Sequence, residues 1–339
     1  MLNPDALFAP LPKASRLLLA VSGGPDSMAL MHLALRWRSH PQLSVATVDH
    51  GFRVESRAEA EQVAHWAATA GLPHHLLVWQ GEKPRTAIQE RARAARYDCL
   101  ADCAERIGAQ AIVTGHHADD QAETILMRLV NGSGTAGLAG MRLRSDRDGP
   151  PLWRPLLDVP KAALVAYCQS IGQPFFTDPS NANEASGRVK LRKLAGLLEE
   201  LGLDRDSLLR LGRRAARADD ALEHAAAALR KSLRASRDDG SVSIDMAGMA
   251  NQPDEIAIRI LGGEVLHVAS GSKRLRLERI ESLWSGMKAA LQAEKAYAST
   301  LGGATLRMAA DGILIIRPEP ERKRGRRFPG IADLPVHRR

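Results

Sequence analysis

The chain has 339 residues, 45% of them apolar and 25% charged, which excludes a disordered or collagen-like polymer and leaves room for one large or two ordinary domains. Net charge is +8 with a pI near 9.7, a bias compatible with a polyanionic partner. No apolar run approaches a membrane span, and three cysteines (Cys99, Cys103, Cys168) form no disulfide framework, so a reducing, cytoplasmic setting without membrane partners is expected.

The first half alternates short apolar runs with helical patterns. Leu17–Val21 reads as a buried strand, followed by the turn Ser22-Gly23-Gly24-Pro25-Asp26-Ser27 and a helix from Asp26 to Trp37. Strand Leu43–Val48, helix Ala58–Ala70, strand His75–Trp79, helix Glu90–Ile107, strand Ala111–Thr114 and helix Asp120–Val130 follow. Such alternation predicts an α/β fold with a parallel, doubly wound sheet covered on both faces. Helices are expected over Asp158–Ser170, with Pro160 in its first turn, and over Val189–Leu201 and Leu208–Leu233. The composition shifts at Ser236–Gly240. Beyond it lie strand Val242–Ile244, helices Asp254–Val268 and Arg274–Gln292, and strands Ala304–Met308 and Ile313–Ile316. The expected division is a nucleotide-binding catalytic α/β domain over 1–215, followed through a helical linker by a smaller α+β, substrate-binding domain over 216–320 and a basic tail over 321–339. That tail carries seven basic residues against two acidic ones.

In open parallel sheets, ligands bind beyond the carboxyl ends of the strands where chain order reverses. Three unusual segments fall at such ends: Ser22–Ser27, Asp49-His50-Gly51 and Gly115-His116-His117. The glycine turn offers unpaired helix-start N–H groups and Cβ-free backbone to an anion, so Ser22, Gly23, Gly24, Pro25, Asp26 and Ser27 are expected to form a nucleotide-binding turn, with the Ser22 and Ser27 hydroxyls as added donors to phosphate. Asp26 fits either a magnesium ligand or a helix N-cap. Asp120 and Glu123 have capping-box spacing, yet capping alone does not require His116, His117 and Asp119 beside them. Histidine there can act as a base near neutral pH, and carboxylates at a helix start can hold a cation.

The hexapeptide SGGPDS resembles SGGxDS, the signature of the PP-loop (N-type) ATP pyrophosphatases. Those enzymes cleave ATP to AMP and pyrophosphate and adenylate a substrate oxygen. Further stretches narrow the resemblance to the tRNA(Ile)-lysidine synthetase family: Gly115-His116-His117-Ala118-Asp119-Asp120-Gln121-Ala122-Glu123-Thr124, Val48-Asp49-His50-Gly51-Phe52-Arg53, Ala92-Arg93-Ala94-Ala95-Arg96-Tyr97, Arg154-Pro155-Leu156-Leu157 and Asp178-Pro179-Ser180-Asn181. The match spans roughly residues 15–195. Where the family often shows RNxxR, this chain has Arg188-Val189-Lys190-Leu191-Arg192, with valine in place of asparagine. Longer members carry a further C-terminal domain, which this chain is expected to lack.

The resemblance implies an adenine nucleotide alpha hydrolase-like PP-loop domain and a ligase that forms a carbon–nitrogen bond. ATP would activate O2 of the wobble cytidine of a CAU-anticodon tRNA(Ile), and the ε-amine of L-lysine would then attack C2, changing codon reading from AUG to AUA. On this resemblance ATP and Mg²⁺ are the expected cofactors. Asp26, His116, Asp120 and Glu123 are the expected catalytic residues, Asp26 also being the metal ligand. Asp49, His50, Arg93 and Gly115 join the glycine turn in holding the nucleotide. Asp120 and Glu123 hold lysine, His116 takes its proton, and Arg188, Lys190 and Arg192 contact tRNA. The rival expectations are a PP-loop thiolation enzyme and a non-catalytic adenine-nucleotide sensor.

Overall fold

The computed structural model describes residues 2–12, 15–51, 55–79, 88–177, 196–236, 240–269 and 275–320. It contains two compact units, Met1–Asp219 and Asp220–Arg339. In the first unit, strands β1 (Arg16–Ala20), β2 (Gln42–Asp49), β3 (His74–Val78), β4 (Ala111–Thr114), β5 (Arg144–Ser145) and β6 (Leu152–Trp153) form one sheet in the order β3-β2-β1-β4-β6-β5. All pairings are parallel except β5 with β6. The sequence pattern did not announce this antiparallel edge. Two-residue strands are too short for any hydrophobic period to register.

Side chains of β1 alternate between the two faces of the sheet. Leu17 and Leu19 pack with Met28, Met31, Val63, Leu164 and Cys168, which come from α2 (Pro25–Arg36), α3 (Glu55–Thr69) and α7 (Lys161–Ser170). Leu18 points the other way, with Ala46, Leu77 and Ile112, against Tyr97, Leu100 and Cys103 of α4 (Ile88–Ile107). Each fully buried leucine contributes about 1.5–3 kcal/mol, so both faces hold the sheet rigid under the loops at its edge.

Chain order reverses at β1, which lies between β2 and β4. The loops leaving β1 and β4 therefore stand side by side at the carboxyl edge, the switch point where α/β sheets bind ligands. Two helix starts differ from expectation. α7 begins at Lys161 with Pro160 as its N-cap, because a proline disfavours helical geometry in the residue before it. Helix α5 spans Ala118–Val130 and so starts two residues before Asp120. The expected helix Val189–Leu201 falls mostly outside the described residues.

In the second unit, strands β7 (Arg234–Ser236), β8 (Val242–Asp245), β9 (Tyr297–Leu301), β10 (Ala304–Met308) and β11 (Ile313–Pro318) form an antiparallel sheet in the order β7-β8-β11-β10-β9. Ile244, Leu306 and Ile316 pack with Ile260, Val265, Trp284 and Met287 of the helices Asp254–Val268 and Leu277–Gln292. Strands β7 and β9 were not expected. β9 is built largely of small and hydroxyl residues, with no apolar alternation to mark it.

Candidate active site

The glycine loop leaves β1 and enters α2. Gly23 has a left-handed φ of +86°, and a Cβ there would lie 2.6 Å from Cδ2 of Phe176. Phe176 donates its N–H to the Gly23 carbonyl at 2.9 Å and packs on Trp66 with centroids 5.0 Å apart. Gly23 is thus a packing glycine. Gly24 differs: a Cβ there would meet nothing nearer than Ser22 Oγ at 4.0 Å, so its backbone stays open to an approaching group. The Ser27 hydroxyl accepts from the Ser22 N–H at 3.1 Å and donates to the Gly24 carbonyl at 3.0 Å. It shapes the loop from within, whereas Ser22 is exposed. The first-turn N–H groups of Asp26 and Ser27 have no intrahelical acceptor, which leaves the loop electropositive.

Asp26 does not cap α2. Gly24 is the N-cap, without a side-chain cap bond. Asp26 Oδ2 lies 3.4 Å from Nε2 of His117 and 3.9 Å from Nζ of Lys161. Its Oδ1 is buried and has no hydrogen-bond partner among the described residues. A partnerless buried carboxylate oxygen at a phosphate loop suits a hard cation, whose preferred ligands are oxygens. Among the described residues there is no group of three or more His, Cys, Asp or Glu able to hold a metal by themselves.

The β4 loop closes on Asp26. A Cβ on Gly115 would lie 2.9 Å from the Asp26 carbonyl oxygen, so glycine permits this contact. Next comes His117, which is buried and serves as the N-cap of α5. The Asp120 N–H donates to His117 Nδ1 at 3.3 Å, and the His117 N–H donates to Asp120 Oδ2 at 3.2 Å. The capping box is therefore His117–Asp120 rather than the Asp120–Glu123 pair that the spacing suggested. The Ala118 N–H bonds the Val159 carbonyl at 2.9 Å, which fixes the chain's entry into the helix and sets the cap two residues earlier. His116 turns back onto β4, its Nδ1 2.7 Å from Thr114 Oγ1.

Burial pulls the His117 pKa down, but the Asp26 hydrogen bond and the charges of Asp120, Asp26 and Asp119 together hold it above 6.5. Burial raises the Asp120 carboxyl, and neighbouring Asp26 and Glu123 add to that against the opposing pull of His117. A histidine whose folded pKa exceeds its unfolded value contributes stability that is complete below the unfolded pKa, near 6.5, and is lost as pH rises through the folded one. His117→Asn keeps an N-cap acceptor but cannot take up a proton, whereas protonated His117 gives up its Nδ1 cap in exchange for the attraction of the surrounding carboxylates. It is expected to be less stable to urea than the parent at about pH 6 and to converge on it by about pH 9. A gap that stays constant across that range would show that His117 is not paired as a cation.

Two residues absent from the expectations also frame the site. Gln121 grips Met141 at both its N–H (2.7 Å) and its carbonyl (2.9 Å), which holds the glycine-rich stretch after α5. Lys161, in the first turn of α7, brings its ammonium to Asp26 and donates its backbone N–H to Asp119 Oδ2 at 2.8 Å. The expectation did not assign it because it lies 135 positions after Asp26 in the chain, and tertiary packing alone joins them.

At the neighbouring strand end, Asp49 Oδ1 accepts from the Gly51 N–H (2.8 Å) and Ser56 Oγ (2.6 Å). Burial alone would raise this carboxyl, but those bonds and the Arg57 charge outweigh it and hold the pKa below the usual value. His50 meets Trp79 edge-on at 6.2 Å. Arg93 lies over the Tyr97 ring at 5.2 Å. Arg188, Lys190, Arg192 and the basic tail lie outside the described residues. The structure thus brings together the glycine loop, Asp26, Gly115 and Asp120, with His117 rather than His116 joining them.

The chain matches the PP-loop domain family over residues 3–198. A tRNA(Ile)-lysidine synthase of Methylobacterium sp. (strain 4-46) is 48% identical, over 93% of this chain and 92% of its own. One from Rhodopseudomonas palustris is 45% identical, over 94% and 95%. Among solved structures, the U34-tRNA thiolase NcsA from Methanococcus maripaludis, with its [4Fe-4S] cluster, aligns with a TM-score of 0.54 over 62% of this chain and 77% of that one. At 15% identity that likeness speaks for the fold alone. Among the described residues no helix is long and apolar enough to cross a membrane.

Proposed function

Because the chain belongs to the tRNA(Ile)-lysidine synthase family of PP-loop enzymes, we propose that it joins L-lysine to C2 of the wobble cytidine of a CAU-anticodon tRNA(Ile), working as a carbon–nitrogen ligase. The PP-loop domain binds ATP, and the lysidine synthase relatives identify an enzyme acting on tRNA(Ile).

In the proposed chemistry, cytidine O2 attacks the α-phosphorus of ATP and pyrophosphate leaves. The ε-amine of lysine then attacks C2, and the C2–O2 bond breaks as AMP departs. Loop N–H groups at Gly24, Asp26 and Ser27 would hold the phosphates. Asp26 would ligate Mg²⁺, which supplies charge neutralisation for the leaving pyrophosphate. Lysine's ammonium must lose a proton before it attacks. Asp120 suits that task, because burial raises its carboxyl and a more basic carboxylate is a better acceptor. Glu123 would share the ammonium. His117, bonded to Asp120 and near Asp26, acts as a positioning residue that fixes both carboxylates. The observation that carries this reading is the buried Asp26 Oδ1, without a hydrogen-bond partner among the described residues, beside the open backbone of Gly24.

Two of the three cysteines weigh against a thiolation enzyme. Cys103 and Cys168 are buried, and burial pushes the Cys168 thiol up to about 11. A thiol so raised is a poor nucleophile and a poor metal ligand.

Pyrophosphate release tests the proposal. Sustained turnover is expected only with ATP, CAU-anticodon tRNA(Ile) and lysine together, and Asp120→Asn is expected to raise the lysine KM by about tenfold or more. Equal turnover without lysine would contradict the ligase reading. An unchanged lysine KM in Asp120→Asn would remove Asp120 from lysine binding.

A further inference from the structure

Arg154 follows β6 at the carboxyl edge of the first unit's sheet. It is 7% exposed. Its Nη1 donates to the Arg142 carbonyl and to Ser145 Oγ, both at 2.8 Å and both neutral oxygens. Its Nε is buried with no hydrogen-bond partner among the described residues. A guanidinium removed from water without an anion is costly.

Further positive charge gathers around the same spot. Tyr97 is buried, and its ring carries Arg147 at 4.9 Å, Arg96 at 5.1 Å and Arg93 at 5.2 Å. Cation–π attraction contributes about 0.5–2 kcal/mol per pair, and it cannot neutralise several like charges. Asp98, 3.7 Å from Arg147, is largely exposed. Burial would raise the Tyr97 phenol, yet Arg96, Arg93 and Arg154 together hold it below its usual value. Burial lowers Arg154, neighbouring Tyr97 pulls the other way, and Arg93 and Arg128 add to the lowering. Exposure grades inward, from Arg93 at the rim through half-buried Arg96 and Arg147 to Arg154 at the floor. Together they form a positively charged cluster whose innermost member, Arg154, is buried.

We infer that Arg154, Arg96 and Arg147 around Tyr97 form a site for one backbone phosphate of the bound tRNA strand. The inference rests on the lysidine synthase reading for its choice of polyanion. β6 neighbours β4, which neighbours β1. The site therefore lies two interstrand spacings, about 10 Å, across the sheet from the glycine loop. A nucleotide seated on that loop has its phosphates provided for there. An RNA strand brings a phosphate with every residue, so a base held at the β1/β4 mouth carries further phosphates past this edge. Such contacts position the strand without reading its sequence.

The test measures affinity for a CAU-anticodon tRNA(Ile) transcript as a function of salt, beside affinity for ATP alone. Arg96→Gln and Arg147→Gln leave the buried floor intact. Each is expected to weaken tRNA binding about three- to tenfold and to flatten the slope of log K against log salt by up to about 0.7–0.9, the change for one lost phosphate contact. ATP affinity stays at the parent value. Arg154→Lys, which keeps a charge but loses the planar fork, is expected to weaken tRNA binding with the salt slope largely retained. Unchanged tRNA affinity and slope in both glutamine variants would overturn the site. Loss of ATP affinity with tRNA binding intact would also overturn it, by giving the site to the nucleotide. A parent enzyme that binds ATP but no tRNA would instead refute the underlying family reading in this chain.

Discussion

Replacing Asp26 with asparagine is expected to lower the rate of adenylation by about three orders of magnitude, equivalent to ~4 kcal/mol of transition-state stabilisation, while the protein stays folded. The argument starts from what Asp26 does not do. It does not cap its helix, and one of its oxygens is buried with no hydrogen-bond partner among the described residues. A side chain held that way at a phosphate loop contributes little to the fold and is available to a cation. Asparagine keeps the shape and removes the charge, so the loop loses its metal ligand. Stability should move by no more than about 1–2 kcal/mol, since the loss of attraction to His117 is partly offset by relief of repulsion from Asp120. Stopped-flow or quench measurement of AMP transfer to tRNA, beside urea unfolding, separates the two effects. Near-parental adenylation in Asp26→Asn would place the metal elsewhere. A collapsed unfolding midpoint would make Asp26 structural.

Gly115→Ala is the second large effect. Its Cβ would lie 2.9 Å from the Asp26 carbonyl oxygen, 3.0 Å from the carbonyl carbon and 3.2 Å from the Ser27 nitrogen. These are backbone atoms and cannot rotate away, so either β4 or the glycine loop must move. Overpacking of this kind costs about 1–3 kcal/mol of stability. A displacement of the reacting groups approaching an ångström costs about 10²-fold in rate. We therefore expect kcat/KM to fall about a hundredfold with a measurable drop in Tm. Gly24→Ala is the informative contrast. Its Cβ meets nothing within ordinary contact, so Tm should hold while ATP affinity falls. Equal drops in Tm for both variants would refute the division of the glycines into packing and ligand-facing positions.

The switch-point architecture was readable because β1, β2, β3 and β4 are apolar runs bounded by glycine, proline or polar turns. That signal is local. β5, β6, β7 and β9 carry no comparable signal, being two or three residues long or built of small polar residues. The SGGPDS loop and the acidic helix start were equally legible, since phosphate binding and capping both draw on residues adjacent in the chain. What escaped was set by chain path. His117 became the cap because the Ala118 N–H is held by Val159 on a distant segment. Lys161 and Gln121 reach their partners through folding alone. The Tyr97–Arg154 cluster joins a helix, a loop and a strand end whose separations in sequence give no spacing to read.

The central claim is that this site adds lysine to tRNA, and mass analysis of the product tests it most directly. CAU-anticodon tRNA(Ile) incubated with the enzyme, ATP, Mg²⁺ and isotopically labelled lysine should yield, after nuclease digestion, a wobble nucleoside heavier than cytidine by one lysine less water and carrying the label. A wobble cytidine of unaltered mass, or one bearing sulfur and no label, would contradict the account.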